Sequence, residues 1–181
     1  MNEERNEALK KIKVILTDVD GVMTDGGIIL GGEGREFKRY DVKDGMGVTM
    51  ARSAGLKVCI ITGRSSESVS LRAEELKIDK IYQGYADKVK AYIEIKSEYD
   101  LEDENFLHVG DDILDLPLFD LVGFSAAPAD GIKSVKEKAD YVTSANGGHG
   151  ALREVIDLVL TAQDKLDEIV NKFSKESEKI G

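Results

Sequence analysis

Short apolar runs alternate with amphipathic segments along most of the chain. The apolar runs are rich in β-branched residues, which is typical of strands buried in a parallel sheet. They lie at residues 12–17, 57–61, 80–82, 105–109, 122–126 and 141–143. The segments between them have helical spacing and cover residues 44–55, 67–77, 87–99, 114–121, 132–139 and 151–173. This alternation predicts a three-layer, Rossmann-like α/β fold with a parallel sheet.

Three details of the pattern are specific enough to check. In the helix at 87–99, Val89, Tyr92 and Ile93 are expected to face inward, together with the stem of Lys96. Residues 1–11 are polar and predict a short helical or frayed lead-in. A charged tail, about residues 174–181, is expected to be mobile. No linker or repeat divides residues 1–181, which predicts a single domain.

Residues 26–41 predict a small β-hairpin inserted directly after the first strand. Two strand-like runs, 27–30 and 36–40, flank a Gly-Gly-Glu-Gly turn at 31–34. A hairpin of this size buries little surface by itself, and it is too small to form a large cap domain. Its apolar residues are Ile28, Ile29, Leu30 and Phe37. They are therefore expected to pack on the core or on another subunit.

Composition narrows the classes of function. Of 181 residues, 41% are apolar and 33% are charged, as in soluble globular proteins. The formal net charge of −10 argues against general binding to nucleic acid or to an anionic membrane. An anionic substrate must therefore be met by locally placed Lys and Arg side chains.

The same features suggest a location. The single cysteine, Cys59, lies inside an apolar run, which indicates a buried structural thiol and fits a reducing compartment. The first residues contain acids and no apolar stretch of the kind found in secretory signals. No apolar run approaches the length of a membrane span. These observations predict a cytoplasmic protein.

Polar side chains recur where the predicted strands end. They are Asp18 and Asp20 after the first strand, Thr62 after the second, Lys88 after the third, and Asp111 and Asp112 after the fourth. The carboxyl ends of parallel strands share one edge of a sheet, so these groups are expected to meet there. Paired carboxylates are costly without a cation, which points to Mg²⁺. The plainer interpretation of Asp18 and Asp20 is a solvated Asp-Gly turn.

Four motifs in this order resemble the haloacid dehalogenase superfamily of phosphatases. The motifs are Asp18-Val-Asp20-Gly, Thr62 within Ile-Thr-Gly, Lys88, and Gly-Asp111-Asp112-x-x-Asp115. The resemblance implies the haloacid dehalogenase fold and hydrolysis of a phosphate ester through an aspartyl-phosphate intermediate.

The resemblance also assigns roles to the acidic residues. Asp18 would be the nucleophile and a Mg²⁺ ligand, and Asp111 would be a second ligand. Asp20 would act as general acid and then general base, while its main-chain carbonyl also reaches the metal. Asp112 and Asp115 would orient these ligands or hold waters. Alternatively, Asp112 and Asp115 are acids that favour a helix N-terminus.

Two further residues would complete the phosphate site. Thr62 and Lys88 would bind the oxygens of the transferring phosphoryl group. Taken alone, Thr62 is a common strand-end hydroxyl and Lys88 a common solvated lysine. The ordered set of motifs favours the functional interpretation of both.

Other segments are similar to one family within this superfamily, the phosphatases of 3-deoxy-D-manno-octulosonate 8-phosphate. They include Val-Lys-Asp-Gly-Met-Gly at 42–47, Thr62-Gly-Arg64, Tyr-Gln-Gly at 82–84 and Gly-Gly-His-Gly-Ala-Leu-Arg-Glu at 147–154. The resemblance covers about residues 12–168. It implies Mg²⁺-dependent hydrolysis of this sugar-acid phosphate in lipopolysaccharide biosynthesis. It also implies a homotetramer in which hairpins associate and neighbouring subunits complete each active site.

Three arginines are candidates for binding the substrate. Arg64 and Arg72 are suited to the forked recognition of a sugar-acid carboxylate. Arg153 would approach the site of a neighbouring subunit. The alternatives are an ordinary helix-surface position for Arg72 and a salt bridge within its own helix for Arg153.

Two alternative functions remain open at this point. The protein could instead be a phosphatase of a nine-carbon 2-keto-3-deoxy sugar acid phosphate. By resemblance, however, relatives with that preference carry an acidic residue where Arg64 stands. A phospho-accepting receiver domain also groups carboxylates with Thr and Lys around Mg²⁺, but its acidic pair comes early and its acceptor aspartate mid-chain. Of the two histidines, His108 is expected in the core and His149 in a loop.

Overall fold

The computed structural model describes residues 3–178, with residues 176–178 described as helix backbone only. The strands are β1 Val14–Thr17, β2 Ile29–Leu30, β3 Glu36–Phe37, β4 Lys57–Thr62, β5 Lys80–Gln83, β6 Phe106–Val109, β7 Phe124–Ala127 and β8 Tyr141–Val142. The helices are α1 Glu3–Lys10, α2 Val42–Ser53, α3 Glu67–Leu76, α4 Lys88–Tyr99, α5 Leu116–Phe119, α6 Lys133–Lys138, α7 Ala151–Ala162 and α8 Leu166–Glu178.

Six of the strands form one parallel sheet in the order β5-β4-β1-β6-β7-β8. The first strand lies in the middle of this sheet, where Thr17 is in register with Ile60 of β4 and Val109 of β6. The strand order changes direction at β1, so the crevice beyond its carboxyl end is the expected ligand site. The predicted parallel α/β fold is confirmed.

Helices cover both faces of the sheet. On one face, Ile15, Val58 and Leu107 belong to a large apolar cluster that also includes residues of α2, α3 and α7. On the other face, Leu16 and Cys59 belong to a second cluster with residues of α4 and α5. Successive strand residues point to opposite faces, which explains how both sides of these apolar strands are buried. Cys59 is a buried free thiol, as predicted.

The hairpin after β1 is present and consists of two very short strands. β2 and β3 pair antiparallel, with Ile29 opposite Phe37. A 3₁₀ turn at Gly32–Gly34 joins them, and Glu33 adopts a left-handed φ of 61° within it. The apolar side chains of the hairpin are largely exposed; Leu30, for example, is 75% exposed. In a single chain, the apolar outer face of the hairpin is therefore exposed.

Two predictions about the helices are wrong. The helix at 151–173 is two helices, α7 and α8, because Asp164 takes a left-handed φ of 55° between them. In α4, Ile93 does not face inward but is 59% exposed. The inward stripe follows Lys88, Ala91, Tyr92 and Ile95, at intervals of three and four, and Ile93 lies outside it.

Both ends of the chain are helical where they are described. Within α1, Leu9 is buried against the core, so this predicted lead-in is a packed helix. Helix α8 continues through Glu178 and so occupies part of the stretch expected to be a mobile tail. The rest of that tail, residues 179–181, lies outside the described residues. Among residues 3–178 there is no helix with the length and apolarity needed to cross a bilayer.

Candidate active site

The chain turns sharply after β1, and this turn places Asp18 at the sheet edge. The backbone N–H of Asp18 donates to the carbonyl of Val109 (3.0 Å), which continues the pairing with β6. The Asp18 Oδ1 atom accepts from the N–H of Val19 (2.6 Å). Gly21 has a φ of 90°, and a Cβ there would lie 2.0 Å from Asp111 Oδ2. Only glycine fits this turn, because both the conformation and the neighbouring carboxylate exclude a side chain.

Lys88 links two buried carboxylates. Its Nζ lies 2.7 Å from Asp18 Oδ2 and 2.6 Å from Asp115 Oδ1, and its side chain is 2% exposed. Burial opposes the ammonium charge, but the two carboxylates outweigh it and raise the pKa of Lys88. Lys88 therefore carries its charge inside the site, where a buried cation is stabilised by paired anions.

The side chain of Asp115 stabilises the loop that follows β6. Its Oδ2 accepts from the backbone N–H groups of Asp111 (3.1 Å) and Asp112 (3.2 Å). Its Oδ1 lies 2.7 Å from His108 Nε2 as well as close to Lys88 Nζ. Burial would raise the pKa of Asp115, but these partners outweigh it and lower the pKa.

The pairing of His108 with Asp115 was not predicted. His108 is fully buried, as expected for a core residue, and its Nδ1 has no hydrogen-bond partner within residues 3–178. We therefore assign a proton to Nε2, which donates to Asp115. The only sequence signal is its position in a strand just before the Gly-Asp-Asp motif.

The carboxylates of Asp18, Asp111 and Asp115 form a cluster suited to a divalent cation. One oxygen from each lies within 4.8 Å of the others. Asp111 Oδ1 is buried and accepts no hydrogen bond from the part of the chain that the structure describes. Burial, followed by the charges of Asp18 and Asp115, raises the pKa of Asp111 to about 7. A hard cation such as Mg²⁺ would remove this electrostatic conflict, so the residues fit that metal.

Asp20 lies beside this cluster, and its side chain points toward the hairpin. Its Oδ1 accepts a short hydrogen bond from Lys38 Nζ, and its Oδ2 lies 3.6 Å from Arg64 Nε. The Asp20 carboxylate is therefore not part of the cation cluster. This arrangement is compatible with the prediction that only its main-chain carbonyl would meet a metal.

Most of the predicted site residues line one cavity of about 180 Å³. It is lined by Asp18, Asp20, Thr62, Gly63, Arg64, Lys88, Asp111, Asp112, Leu114 and Asp115. Larger surface grooves exist elsewhere, but this one alone among those described combines the carboxylate cluster with a buried cation. Arg72 and Arg153 lie outside it.

Both outlying arginines have partners of their own. Arg72 Nη1 pairs with Glu75 (2.8 Å), and its guanidinium lies over the ring of Tyr40. Arg153 Nε pairs with Asp157, one turn further along α7 (2.8 Å). Within one subunit, Arg153 therefore forms the intrahelical salt bridge that was its alternative role.

The hairpin contributes two residues that the sequence analysis missed. Glu36 begins β3 and Lys38 directly follows it, and their side chains lie on one face, while Phe37 lies on the other and is 52% exposed. Glu36 Oε1 lies 2.8 Å from Lys38 Nζ, and its Oε2 accepts from Arg64 (2.5 Å). The charged-apolar-charged order of Glu36, Phe37 and Lys38 is a short period-two signal that could have identified them.

The loop at 147–150 packs on the turn that carries the nucleophile candidate. A Cβ on Gly147 would lie 1.9 Å from the carbonyl oxygen of Gly21, so two backbones touch here. His149 is in this loop, as predicted, and its Nε2 lies 2.8 Å from Arg39 Nη2. Asp44 accepts from the N–H groups of Gly150 and Arg153 and so fixes the start of α7.

The fold and this cluster together define a haloacid dehalogenase-like hydrolase. Residues 78–155 match a family model described as haloacid dehalogenase-like hydrolase. The chain is 43% identical over 159 residues to the 3-deoxy-D-manno-octulosonate 8-phosphate phosphatase of Escherichia coli K12, covering 88% of this chain and 85% of that protein. It therefore belongs to the family of 3-deoxy-D-manno-octulosonate 8-phosphate phosphatases.

Solved structures agree with this assignment. The phosphatase of this name from Moraxella catarrhalis, crystallised with a magnesium ion, a phosphate ion and a KDO molecule, superposes with a TM-score of 0.92 at 39% identity. The alignment covers 96% of this chain and 99% of that chain. The Yersinia pestis enzyme gives a TM-score of 0.89 at 41% identity, covering 91% and 89%. The receiver-domain alternative is thereby set aside.

Proposed function

We propose that this protein is a Mg²⁺-dependent phosphatase that converts 3-deoxy-D-manno-octulosonate 8-phosphate to the free sugar acid and phosphate, a step of lipopolysaccharide biosynthesis. The observation that carries the proposal is the buried Asp18–Lys88–Asp115 network beside Asp111, at the crevice where the strand order of the sheet changes direction. Phosphoryl transfer needs an in-line nucleophile, charge neutralisation and positioning donors, and this cluster offers each of them.

In the proposed reaction, Asp18 attacks phosphorus and Asp20 gives its proton to the departing sugar oxygen. Asp20 then takes a proton from the water that attacks the aspartyl phosphate, which releases phosphate and restores Asp18. Thr62 and Lys88 would donate to the phosphoryl oxygens. Asp18, Asp111 and the Asp20 carbonyl would hold Mg²⁺, with Asp112 and Asp115 supporting these ligands. The bound cation neutralises charge on the phosphate.

Arg64 supports the eight-carbon substrate over the nine-carbon alternative. It lines the cavity directly after the Thr62-Gly pair, and its side chain is about half exposed (47%). A cation at this position can meet the carboxylate that both sugar acids carry. The preference for the eight-carbon acid rests on the resemblance, in which phosphatases of the nine-carbon acid carry an acid where Arg64 stands. Arg72 would assist from α3.

The deciding experiment is a phosphate-release panel on the purified wild-type protein. We expect the eight-carbon sugar acid phosphate to be hydrolysed with a higher kcat/KM than the nine-carbon one, and both faster than p-nitrophenyl phosphate.

Arg64→Ala or Arg72→Ala should reduce turnover of the sugar acid by roughly 10–100-fold, because a charge-assisted pair contributes about 1.5–3 kcal/mol. Turnover of the aryl phosphate should change little. Equal losses on both substrates would assign these arginines to the phosphate or to the fold.

Mg²⁺ binding should depend on pH through Asp111. The pKa of Asp111 is about 7 in the metal-free protein, so the cation must displace a proton below that pH. We expect the association constant to rise about tenfold per pH unit up to about pH 7 and to level off above it. Calorimetry in two buffers of different ionisation enthalpy measures the released proton directly. An association constant that is flat between pH 5.5 and about 7 would contradict this assignment.

We propose a homotetramer for the assembled protein. The exposed apolar face of the hairpin is a pairing hazard in an isolated chain, and association between hairpins would bury it. A neighbouring subunit would then bring residues 147–154, including Arg153, or the following helix toward the site. Sedimentation at working concentration should give four chains per particle, and a Leu30→Glu variant should dissociate. A fully active monomer would defeat this proposal.

The cytoplasm is the proposed location. Cys59 is a buried free thiol, which suits a reducing compartment. The sugar-acid substrate is the one partner proposed besides a second copy of the chain.

A further inference from the structure

We propose that Lys38 of the hairpin is a positioning residue for Asp20, holding the acid–base carboxylate in its working orientation. The inference rests on the proposed phosphatase function and deepens it. Lys38 Nζ donates to Asp20 Oδ1 and lies 2.8 Å from Glu36 Oε1, and the Lys38 side chain is 1% exposed. A lysine on a small surface hairpin is ordinarily solvated, so its complete burial between two carboxylates requires an explanation.

The charges around Asp20 show why Lys38 is the residue that fixes it. The other cation facing Asp20 is Arg64, whose Nε lies 3.6 Å away and whose Nη2 is already bound to Glu36 at 2.5 Å. Arg64 is also much more exposed than Lys38, at 47% against 1%. An exposed guanidinium shared with Glu36 orients a carboxylate poorly, whereas a buried ammonium with a direct hydrogen bond fixes it.

Glu36 gives this arrangement a second function during the reaction cycle. Asp20 alternates between a protonated acid, which donates to the departing sugar oxygen, and a carboxylate, which accepts a proton from water. Lys38 takes no part in either proton transfer. While Asp20 is protonated, Glu36 remains as the anionic partner of Lys38, so the ammonium stays in place for the next half-reaction.

The test is a double-mutant cycle between Lys38→Met and Asp20→Asn, with kcat, KM and the acid-quenched phosphoenzyme as readouts. We expect Lys38→Met to lower kcat by about 10–100-fold with little change in KM, because misplaced acid–base groups slow the chemical steps. With p-nitrophenyl phosphate, whose leaving group needs little protonation, phosphoenzyme should accumulate, since mainly the water-activating step is impaired. In Asp20→Asn, which should itself lose about 10²–10⁴-fold, adding Lys38→Met should cost almost nothing more.

Two further variants separate positioning from structural support. Lys38→Arg keeps the charge and donors, so it should recover most of the lost kcat. Lys133→Met, at the first residue of α6 and with a side chain 87% exposed, is the matched control and should behave as wild type. A wild-type kcat in Lys38→Met, additive losses in the double variant, or no recovery in Lys38→Arg would each overturn the proposal.

Failure of this inference is distinguishable from failure of the proposed function. The cycle is measured on the sugar-acid phosphate and on p-nitrophenyl phosphate in parallel. If wild type hydrolyses only the aryl phosphate, the substrate assignment fails while the cycle still reports on Lys38. If wild type hydrolyses neither, the phosphatase function fails, and the inference fails with it.

Discussion

Asp18→Asn should abolish phosphatase turnover while leaving the fold intact. The amide is a poor nucleophile and cannot form the aspartyl phosphate, so we expect kcat to fall by about 10⁴-fold or more. The change is nearly isosteric, and the side-chain oxygen can still accept from the Val19 N–H. Lys88 also keeps Asp115 as its anionic partner. Phosphate release and acid-quenched phosphoenzyme should both disappear, with a thermal midpoint close to that of wild type.

The matched control is Asp167→Asn, the same substitution at an exposed position of α8. It should retain full activity and a normal thermal midpoint, because nothing in the site depends on it. Substantial turnover by Asp18→Asn, or phosphoenzyme that still forms in it, would remove Asp18 as the nucleophile.

Lys88→Met should damage both stability and activity. The substitution leaves the carboxylates of Asp18 and Asp115 buried without their shared cation. Removing one partner of a buried ion pair typically costs about 3–5 kcal/mol of unfolding free energy. The proposed donor to the phosphoryl group is lost as well, and removal of one such donor typically costs about 10²–10³ in kcat.

The pH dependence of the Lys88→Met variant provides a sharper check. Burial already raises the pKa of Asp18, and without Lys88 that pKa rises further. A carboxyl whose pKa is raised in the folded state is destabilising when ionised, so the stability deficit should be largest at high pH. It should shrink as the pH falls through the raised pKa toward the unfolded value. Denaturant titrations from pH 8 to pH 5 measure this directly.

Added Mg²⁺ should also recover part of the Lys88→Met deficit, because a bound cation compensates the same carboxylates. Lys90→Met, two residues along α4 and exposed, is the control and should be close to wild type at every pH. A deficit in Lys88→Met that is independent of both pH and Mg²⁺ would contradict the electrostatic account.

The sequence predicted the groups that follow directly from strand ends. Asp18 and Asp111 come just after a buried strand and Thr62 is the last residue of one, and parallel strands bring such positions together regardless of the rest of the fold. Their convergence at one cavity is therefore a property of chain order and sheet geometry. The roles assigned to these residues remain predictions until the variants are measured.

Contacts that depend on packing between distant segments were not predictable in the same way. Lys38 reaches Asp20 because the hairpin folds back over the sheet edge, and local periodicity does not encode that direction. His108 was correctly placed in the core, but its pairing with Asp115 depends on a turn beyond the strand.

The errors in the helices have local causes that the pattern concealed. The apolar stripe of α7 continues in α8 at helical spacing, so the break at Asp164 has no glycine or proline to mark it. Ile93 is apolar but lies one position away from the buried stripe of α4, which the bulky Tyr92 and the buried Lys88 define. Hydrophobic periodicity indicates that a helix has an apolar face. The elements that pack against the helix determine which residues of that face are buried.

The central position of β1 constrains the order in which this enzyme can form during translation. Val14–Thr17 leaves the ribosome early, yet one of its two neighbours, Phe106–Val109, is synthesised roughly 90 residues later, on the order of 5–20 s at ordinary elongation rates. Until then, one edge of an apolar strand is unpaired, and the nucleophile turn lacks the carbonyl of Val109 that anchors Asp18. Nascent chains that end before β6 should therefore be inactive, and this protein should acquire its activity only after residues 106–111 have been synthesised.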